Sequence, residues 1–370
     1  MSTERHQPPP RKPRGTISNP ANRFHTLSVE PLAGCDPDGV ETVYLRDASR
    51  SIISRNDSPD VGFEASLNPY RGCATGCVYC YARPGHEYLG FSAGLDFETR
   101  ILVKEDAPDL LRRELGSSRW NPRTLLMSGV TDPYQPAEKS LLITRRCLEV
   151  LASAVHPVAV ITKSTLIRRD IDLLERLASA RAAAVTMSVT TLQDDLHSIM
   201  EPRGAAPRRR LSVIRALSNA GIPVCVNVAP VIPGITDHEI PAILEAAADA
   251  GAVAALYIML RLPHGVAELF ESWLERHYPD RKNKVLGRIR SLRRGRLNDP
   301  RFGSRMVGEG PYAEHIRQSF HVHRKRLGLR TGPPPLLNTG FRRPEVPSHR
   351  PRRAAPSDPS QTELFPSSSR

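Results

Sequence analysis

The sequence predicts an α/β fold in which helices cover a parallel sheet. Six short apolar runs alternate with amphipathic helical patterns, and this order is typical of βα units. The runs are almost continuously apolar, as strands buried on both faces require. The predicted strands span residues 65–70, 124–129, 157–162, 183–189, 222–229 and 252–260. The predicted helices between them span residues 108–115, 138–153, 168–180, 208–220 and 237–250.

Six βα units either close into a partial barrel or open into a doubly wound sheet, and the periodicity does not separate the two. In both arrangements the chemistry collects at the carboxyl ends of the strands. Polar side chains follow the apolar runs at this edge, namely Ser128, Asp132, Lys163, Ser188, Thr190 and Asn227. The sequence therefore predicts a site at the carboxyl edge of the sheet.

Composition divides the 370 residues into four regions. Residues 1–60 are predicted to be an N-terminal extension that is partly disordered, because its start is rich in Pro and Arg. Residues 61–265 form the predicted core, and residues 266–330 a basic, mainly helical C-terminal region. Residues 331–370 contain nine prolines and are predicted to be a disordered tail.

The sequence contains neither an apolar run of membrane-spanning length nor an N-terminal secretory pattern. We therefore expect a cytoplasmic protein without membrane association. Its six cysteines are too few for a disulfide scaffold, so a cluster of them is better explained by metal binding or catalysis.

The positive charge is concentrated in one stretch. From Arg281 to Arg330 there are 15 Lys and Arg against three Asp and Glu, a surplus of 12 in a chain of net charge +13. Arginines such as Arg288 and Arg293, with Phe302 and Phe320 among them, are suited to phosphates and unpaired bases. We therefore predict nucleic acid as a partner of this region.

Three cysteines, Cys73, Cys77 and Cys80, lie at C-x3-C-x2-C spacing in a glycine-containing loop after the first predicted core strand. Two metal centres fit this spacing. A closed zinc site needs a fourth ligand, for which His86 is close in sequence. A 4Fe-4S cluster held by three thiolates instead leaves one iron open to another ligand.

The three cysteines, with Tyr79 before the last of them, resemble the signature of the radical S-adenosylmethionine (SAM) superfamily. The resemblance implies a partial (β/α)6 barrel of the TIM-like type, a 4Fe-4S cluster on the three cysteines and SAM on the fourth iron. It also implies reductive cleavage of SAM to a 5′-deoxyadenosyl radical, with an electron donor such as flavodoxin or ferredoxin.

Further segments are similar to the spore photolyase-like branch of that superfamily. They are Asn68 to Cys73, Thr131 to Pro136, Thr162 to Ser164, Ser188 to Thr190 and Glu201 to Arg203. The N-terminal Arg14-Gly15, Asn19-Pro20 and Arg23-Phe24 resemble a narrower bacterial group within the branch.

This resemblance implies a role for each matching residue. Tyr79 approaches the adenine of SAM, Ser128 and Gly129 its amino group, and Lys163 its carboxylate. Ser188 reaches the same end of SAM, and Asn227 lies near the ribose. Tyr79 and Tyr81 match two relay tyrosines, which makes them the candidate catalytic residues.

One departure limits the resemblance. Photolyases of the branch carry a hydrogen-donor cysteine in the segment that corresponds to residues 128–132, whereas this chain reads Ser-Gly-Val-Thr-Asp. A relay without its terminal donor cannot run the same cycle. We therefore expect no repair of spore photoproduct with regeneration of SAM.

The predicted function is a radical SAM enzyme that acts on nucleic acid, as in DNA repair. Two alternatives remain: a zinc-containing nucleic-acid-binding protein without catalysis, and a radical SAM enzyme with a peptide or small-molecule substrate. Near the C-terminus, Gln361 to Phe365 resemble the peptide that binds the bacterial DNA sliding clamp, which makes the clamp a second predicted partner.

Overall fold

The computed structural model describes residues 13–24 and 41–346. Its main sheet has seven strands in the order β10-β9-β8-β7-β6-β3-β2, and its second sheet has three, in the order β1-β5-β4. The strands are β1 Val43–Arg46, β2 Ile53–Arg55, β3 Ala65–Leu67, β4 Tyr70–Arg71, β5 Arg100–Val103, β6 Leu125–Met127, β7 Val158–Thr162, β8 Ala183–Ser188, β9 Val224–Val231 and β10 Ala254–Met259.

Six strands of the main sheet, β3 and β6 to β10, run parallel, and β2 adds an antiparallel edge beside β3. All six coincide with strands predicted from the apolar runs. The first predicted strand is interrupted, however, because β3 ends at Leu67 and the chain then turns into the short β4 of the other sheet. The prediction of a partial (β/α)6 barrel is confirmed.

The helices pack around this sheet. They are α1 Leu95–Thr99, α2 Ala107–Gly116, α3 Glu138–Leu141, α4 Ile143–Ser153, α5 Ile171–Ser179, α6 Asp194–Met200, α7 Pro207–Asn219, α8 Ile240–Asp249, α9 Gly265–His277, α10 Lys282–Leu292, α11 Ser304–Val307 and α12 Pro311–Arg326. Prolines occupy the first turn of α2, α7 and α12, where a missing N–H costs no hydrogen bond.

The helix predicted over residues 138–153 is divided in two. Leu142 adopts a left-handed conformation, with φ 55°, between α3 and α4. The buried carboxylate of Glu138 accepts hydrogen bonds from the Thr144 N–H at 2.9 Å and the Tyr70 hydroxyl at 2.5 Å. A carboxylate that caps the second helix in this way is not visible in the hydrophobic periodicity.

The N-terminal region is more ordered than predicted. Strands β1 and β2 both lie before residue 61, where the core was expected to begin. Residues 13–24 also pack on the core, since the Gly15 N–H donates to Glu98 Oε2 at 3.0 Å and Asn22 Nδ2 donates to the Glu87 carbonyl at 3.0 Å. Order in residues 13–24 and 41–60 was not predicted, while partial disorder of the extension as a whole stays a prediction.

Gly15 fits where no other residue would. A Cβ at this position would lie 1.5 Å from the Gly76 carbonyl oxygen, whereas a Cβ on Gly62 would meet nothing within 4 Å. We expect Gly15→Ala to lower the free energy of unfolding by about 1–3 kcal/mol, the usual cost of overpacking. Urea denaturation beside the control Gly62→Ala checks this, and equal midpoints for the two variants would contradict it.

The predicted disordered tail needs a correction over residues 331–346. This segment lies on the sheet-covering helices, with the Leu337 N–H donating to the Arg181 carbonyl at 2.9 Å and the Arg342 N–H to the Ala154 carbonyl at 2.8 Å. The Phe341 ring meets His156 edge-on at 5.3 Å. The proline content does not reveal this packing, because it depends on backbone hydrogen bonds and on one contact between aromatic rings. The predicted clamp-binding peptide lies outside the described residues.

Across residues 13–24 and 41–346, no helix has both the length and the hydropathy that crossing a bilayer demands.

Candidate active site

The three cysteines lie in a buried turn, residues 72–81, which we call the cysteine loop. Two glycines shape it, Gly72 with φ 77° and Gly76 with φ 70°. Side chains rarely adopt these angles. A Cβ on Gly72 would also lie 3.0 Å from both the Phe97 carbonyl and the His86 ring.

Buried polar groups hold the cysteine loop from behind. The Cys73 N–H donates to the Phe97 carbonyl at 2.8 Å. The fully buried Gln135 accepts from the Ala74 N–H at 3.0 Å and donates to the Gly72 carbonyl at 3.2 Å. The loop is thus fixed before any metal centre binds.

A buried ion pair supports the middle of the loop. The Arg83 guanidinium donates to the Cys77 carbonyl from Nε at 3.1 Å and from Nη2 at 2.9 Å. Its charge is balanced by Glu98 at 2.6 Å, and both side chains are fully buried. Glu98 also accepts hydrogen bonds from the Gly15 N–H and the Thr16 hydroxyl, each at 3.0 Å. The N-terminal segment therefore contacts the cysteine loop through this pair.

The thiols are poor metal ligands until a cation compensates their burial. Desolvation raises the pKa of Cys73 to about 11, and Asp132 adds to the effect. Desolvation, together with Glu201, raises the pKa of Cys77 well above its usual value. Because a metal centre binds the thiolate, its positive charge would have to lower these pKa values. The loop is therefore suited to a strongly bound cationic centre.

His86 does not face the three thiols. Its ring packs against Phe91 at 5.2 Å and Phe97 at 5.6 Å, and burial lowers its pKa to about 4. Within the described ranges, no three His, Cys, Asp or Glu side chains are grouped so that they could hold one metal ion. Thiolates of a 4Fe-4S cube bind different irons and need not converge on one point, whereas zinc ligands must. The arrangement fits a cluster better than zinc.

Thr190, which was also predicted at this edge, does not line the cavity of about 260 Å³, but all the site residues implied by the resemblance do. They are Cys73, Cys77, Tyr79, Cys80, Tyr81, Ser128, Gly129, Lys163, Ser188 and Asn227. The cavity opens at the carboxyl edge of the sheet, where the cysteine loop follows β4. The other residues end or follow β6, β7 and β8, and Asn227 lies within β9. The structure brings the residues together, while their individual roles stay predictions.

Tyr79 is anchored at its hydroxyl, which donates to the Glu201 carboxylate and lies 3.1 Å from the Thr190 hydroxyl. Glu201 forms an ion pair with Arg210, and both are buried. Arg210, with a smaller contribution from Lys163, lowers the pKa of Glu201 to about 2 against the opposing effect of burial. A charged pair thus fixes the ring of Tyr79 in the wall of the cavity.

Lys163 presents its ammonium group to the same cavity. Its Nζ lies 5.8 Å from the centroid of the Tyr79 ring. Its backbone N–H donates to Asp132 Oδ2 at 2.9 Å, and Asp132 also accepts from the Thr162 hydroxyl at 2.7 Å. Among the described residues the Lys163 ammonium forms no ion pair, so it is available to an anionic ligand.

The backbone after β6 has positive φ at two consecutive residues, 149° at Ser128, where it is strained, and 114° at Gly129, where glycine tolerates it. A Cβ on Gly129 would meet nothing within 4 Å, so the loop faces open space. The Gly129 carbonyl accepts the Tyr81 hydroxyl at 2.5 Å. Strain of this kind costs about 1–3 kcal/mol and concentrates at ligand sites.

Asn227 gives a second indication that the cavity is a ligand site. Its Oδ1 is buried and has no hydrogen-bond partner. An unsatisfied buried acceptor costs about 1–3 kcal/mol, which a bound hydroxyl or amine would recover. The neighbouring Ser188 is also buried, and its carbonyl accepts from Arg210 at 3.1 Å. The cavity therefore has polar groups that fit a polar ligand.

Several cavity residues were not predicted as site residues. Asp132 belongs to a segment singled out from the sequence, but its role as an anchor for Lys163 was not predicted. Arg261 and Met306 come from the predicted basic region or its border and reach the cavity only through folding. Glu201 belongs to a segment that the resemblance singled out, but Glu201 and Arg210 act on Tyr79 from 122 and 131 residues away along the chain, so the local sequence does not reveal this support.

Part of the predicted nucleic-acid surface is used by the fold itself. Arg293 is buried and donates to the carbonyls of Leu260, Ser304 and Arg305 at 2.9 Å. Phe320 is buried against Tyr257, with ring centroids 4.7 Å apart. Other arginines are paired, as Arg294 and Arg301 are with Glu309. The exposed cations that remain include Arg290, Arg296, Lys325 and Arg326.

Comparison with known proteins identifies the core. The family model described as "Radical SAM superfamily" matches residues 67–247. An uncharacterized protein of Mycobacterium tuberculosis is 36% identical over 243 residues, which are 65% of this chain and 70% of that protein. The radical SAM Nα-GlyT isomerase of Pseudomonas phage M6 is 29% identical over 174 residues, 46% of this chain and 34% of the isomerase.

The fold is similar to that of solved spore photoproduct lyases. The lyase complexed with dinucleoside spore photoproduct aligns with a TM-score of 0.56 over 78% of this chain and 81% of that chain. The sequences are 16% identical in this alignment, so the likeness concerns the fold alone.

Proposed function

Because the chain belongs to the radical SAM superfamily, whose enzymes use a 4Fe-4S cluster and SAM, we propose that Cys73, Cys77 and Cys80 hold the cluster. The single observation that carries the proposal is the one cavity that the three thiols, two of them buried, line together with Lys163 and Asn227. When bound, these cofactors supply one-electron cleavage of the sulfonium and, from it, hydrogen-atom abstraction from a substrate. A low-potential donor such as flavodoxin or ferredoxin would deliver the electron.

The residues of this chain would hold SAM by complementary charge and hydrogen bonding. Lys163 pairs with the carboxylate, the strained backbone at Ser128 and Gly129 receives the amino group, and Ser188 adds a contact at the same end. Asn227, with its free Oδ1, receives the ribose, and Tyr79 packs on the adenine. The Glu201–Arg210 pair keeps Tyr79 in place and holds no reacting group.

The substrate we propose is nucleic acid. Two related proteins bear names that point the same way: a lyase complexed with a dinucleoside spore photoproduct and a Nα-GlyT isomerase. Exposed arginines and lysines on α10, α12 and the connection between them supply a basic surface. A role in DNA repair and binding of the sliding clamp through Gln361 to Phe365 belong to the same proposal.

Sustained repair of spore photoproduct is not part of this proposal. Residues 128–132 contain no cysteine, and the buried Cys147 lies on α4 and does not line the cavity. Tyr81 lines the cavity, but residues 128–132 would offer it no thiol as a hydrogen donor. Sustained turnover of the spore photoproduct dinucleotide without consumption of SAM would overturn this part of the proposal.

Metal analysis tests the centre first. Protein reconstituted anaerobically is expected to hold about four irons and to be brown. A variant with Cys73, Cys77 and Cys80 all changed to alanine should lose the iron, whereas Cys147→Ala, a buried cysteine outside the cavity, should keep it. One colourless zinc per chain would favour the alternative of a zinc-containing binding protein.

Isotope transfer then tests the substrate. Reduced enzyme with SAM is incubated with deuterated single-stranded DNA, deuterated peptides or deuterated small molecules, and 5′-deoxyadenosine is analysed by mass spectrometry. Deuterium from DNA supports the proposal. Deuterium only from a peptide or small molecule keeps the enzyme class and replaces the substrate.

Lys163→Met tests the residue proposed for the SAM carboxylate. Losing a hydrogen bond to a charged group costs about 1.5–3 kcal/mol, so we expect SAM affinity to fall about 10- to 100-fold. Iron content should not change, because Lys163 does not hold the cluster. Equilibrium dialysis with Lys139→Met, an exposed lysine on α3, as the control makes the comparison. Equal affinities in the two variants would contradict the assignment.

A further inference from the structure

Arg261 is an uncompensated cation in the wall of the active-site cavity. It follows β10 and lines the cavity together with Met259 and Met306. Its Nε is buried without a hydrogen-bond partner, and its Nη1 reaches only the sulfur of Met306 at 3.8 Å. Within the described part of the chain, Arg261 forms no ion pair with a carboxylate.

The carboxylate closest to this region is already used. Asp60 binds Arg305 through two hydrogen bonds, of 2.7 and 2.5 Å. The buried Arg293 adds another positive charge behind Arg261, where it donates to the Leu260 carbonyl. This end of the cavity therefore has more positive than negative charge, and burial of an unpaired cation is costly unless an anion joins it.

The SAM carboxylate is not that anion. Lys163, which we assign to it, follows β7, and β8 and β9 separate β7 from β10 in the sheet. Three strand spacings put the two backbone positions about 14 Å apart along the sheet, so we assign the SAM carboxylate to Lys163 alone. Arg261 therefore needs a second anionic group, which belongs to the substrate.

One aromatic ring of the cavity wall stands beside this cation, and a second exposed ring lies outside the wall beside Arg305. The Arg261 guanidinium lies 5.2 Å from the centroid of the Tyr81 ring, and Tyr81 is 47% exposed. Arg305 lies 4.6 Å from the centroid of the Phe302 ring, which is 58% exposed. A guanidinium fork suits a phosphate, and exposed rings suit unpaired bases.

We propose that Arg261 binds a backbone phosphate of an unpaired nucleotide and so places that nucleotide in the cavity, with Tyr81 and Phe302 as stacking faces. The proposal rests on the proposed function, because it takes nucleic acid as the substrate. It adds the residue that selects an unpaired, phosphate-bearing nucleotide.

Binding of a short oligonucleotide tests the proposal. The probe is fluorescein-labelled hexathymidylate, which cannot pair with itself, and fluorescence anisotropy is measured with anaerobically purified holoenzyme. We expect Arg261→Gln to weaken binding about 10- to 100-fold, since a hydrogen bond to a charged group is lost. The slope of log K against log salt should become shallower by about 0.7, the value for one phosphate of a single strand. Arg261→Lys keeps the charge without the planar fork of donors, so its affinity for the oligomer should fall less than that of Arg261→Gln.

Two controls accompany these variants. Arg317→Gln removes an arginine that is 62% exposed and pairs with Glu314 on α12, and it should bind like the wild type. A methylphosphonate form of the oligomer, which has no backbone charge, should bind the wild type and Arg261→Gln equally weakly. SAM affinity should be the same in all variants.

The outcomes separate this inference from the proposed function. If the wild type binds hexathymidylate and Arg261→Gln binds it equally well, the role of Arg261 is wrong while the proposed function stands. If Arg261→Gln loses SAM binding as well, the residue supports the cavity as a whole, and the inference also fails. If the wild type does not bind the oligomer at low salt, the role of Arg261 and the proposed nucleic-acid substrate both fall, while the radical SAM assignment stands.

Discussion

Glu98→Gln is expected to lower the free energy of unfolding by about 3–5 kcal/mol, because it leaves the Arg83 charge buried without its partner. Neither side chain of this pair is exposed. Gln has one acceptor oxygen, so it can accept from the Gly15 N–H or from the Thr16 hydroxyl but not from both, and the loss reports the missing charge together with one hydrogen bond. Urea denaturation measures it, with Glu314→Gln in an exposed ion pair as the control, for which we expect a change of less than about 1 kcal/mol.

A double variant separates stability from the support of the cysteine loop. Arg83→Met combined with Glu98→Leu removes both charges, and apolar replacement of a buried ion pair is often neutral or stabilising. The two hydrogen bonds to the Cys77 carbonyl are lost nevertheless. We therefore expect the double variant to be more stable than Glu98→Gln, because no charge is left unpaired, and to lose iron to a chelator faster than the wild type. Wild-type iron retention in a stable double variant would show that the pair does not position the loop.

The regular parts of the fold were predictable from local pattern. Strands β6, β8 and β9 are short apolar runs whose residues are nearly all buried in the sheet, so the composition of each run indicates burial on both faces. The second sheet was not predicted. Strand β5 has four residues and β4 two, too few for periodicity to distinguish them from a loop.

The order of residues 13–24 and 331–346 was not predicted, for a different reason. Residues 13–24 are held by single buried groups, such as the Gly15 N–H on Glu98, and residues 331–346 by backbone hydrogen bonds to Arg181 and Ala154. Proline and arginine content measures how little apolar surface a segment can bury. It does not register hydrogen bonds to a core that is already folded.

The candidate site was predictable where one segment supplies the chemistry. Cys73, Cys77 and Cys80 are neighbours in sequence, and Lys163 and Ser188 end their own strands, so strand order brings them to one edge. The support for these residues was not predictable. Glu201 meets Tyr79 and Arg261 meets Tyr81 across long stretches of chain, and such contacts depend on the closing of the sheet into a partial barrel.

Glu201→Gln is the second variant with a large expected effect, because Glu201 is fully buried against the buried Arg210. Removing its charge leaves the Arg210 guanidinium unpaired, and we expect the free energy of unfolding to fall by about 3–5 kcal/mol at pH 7. Glu239→Gln is the matched control. Glu239 is buried and accepts from the Thr191 hydroxyl at 2.6 Å and the Leu192 N–H at 2.8 Å, without an ion pair among the described residues. The amide oxygen of Gln can accept from the Leu192 N–H, and its NH2 group can donate to the Thr191 hydroxyl oxygen. No charge is left unpaired, so the free energy of unfolding should fall less than in Glu201→Gln.

The pH dependence of the free energy of unfolding tests whether the charge of Glu201 causes this loss. The pKa of Glu201 is about 2 in the folded protein against an ordinary value of 4.5, so between these values the unfolded chain binds more protons than the folded one. The stability contributed by the carboxylate is therefore complete above pH 4.5 and is lost as the pH falls towards 2. We expect the difference between wild type and Glu201→Gln in urea denaturation to shrink from pH 5 to pH 3, while the difference for Glu239→Gln changes less. A constant Glu201 difference over this range would mean that shape and packing, and not the pairing with Arg210, hold Tyr79 in the cavity wall.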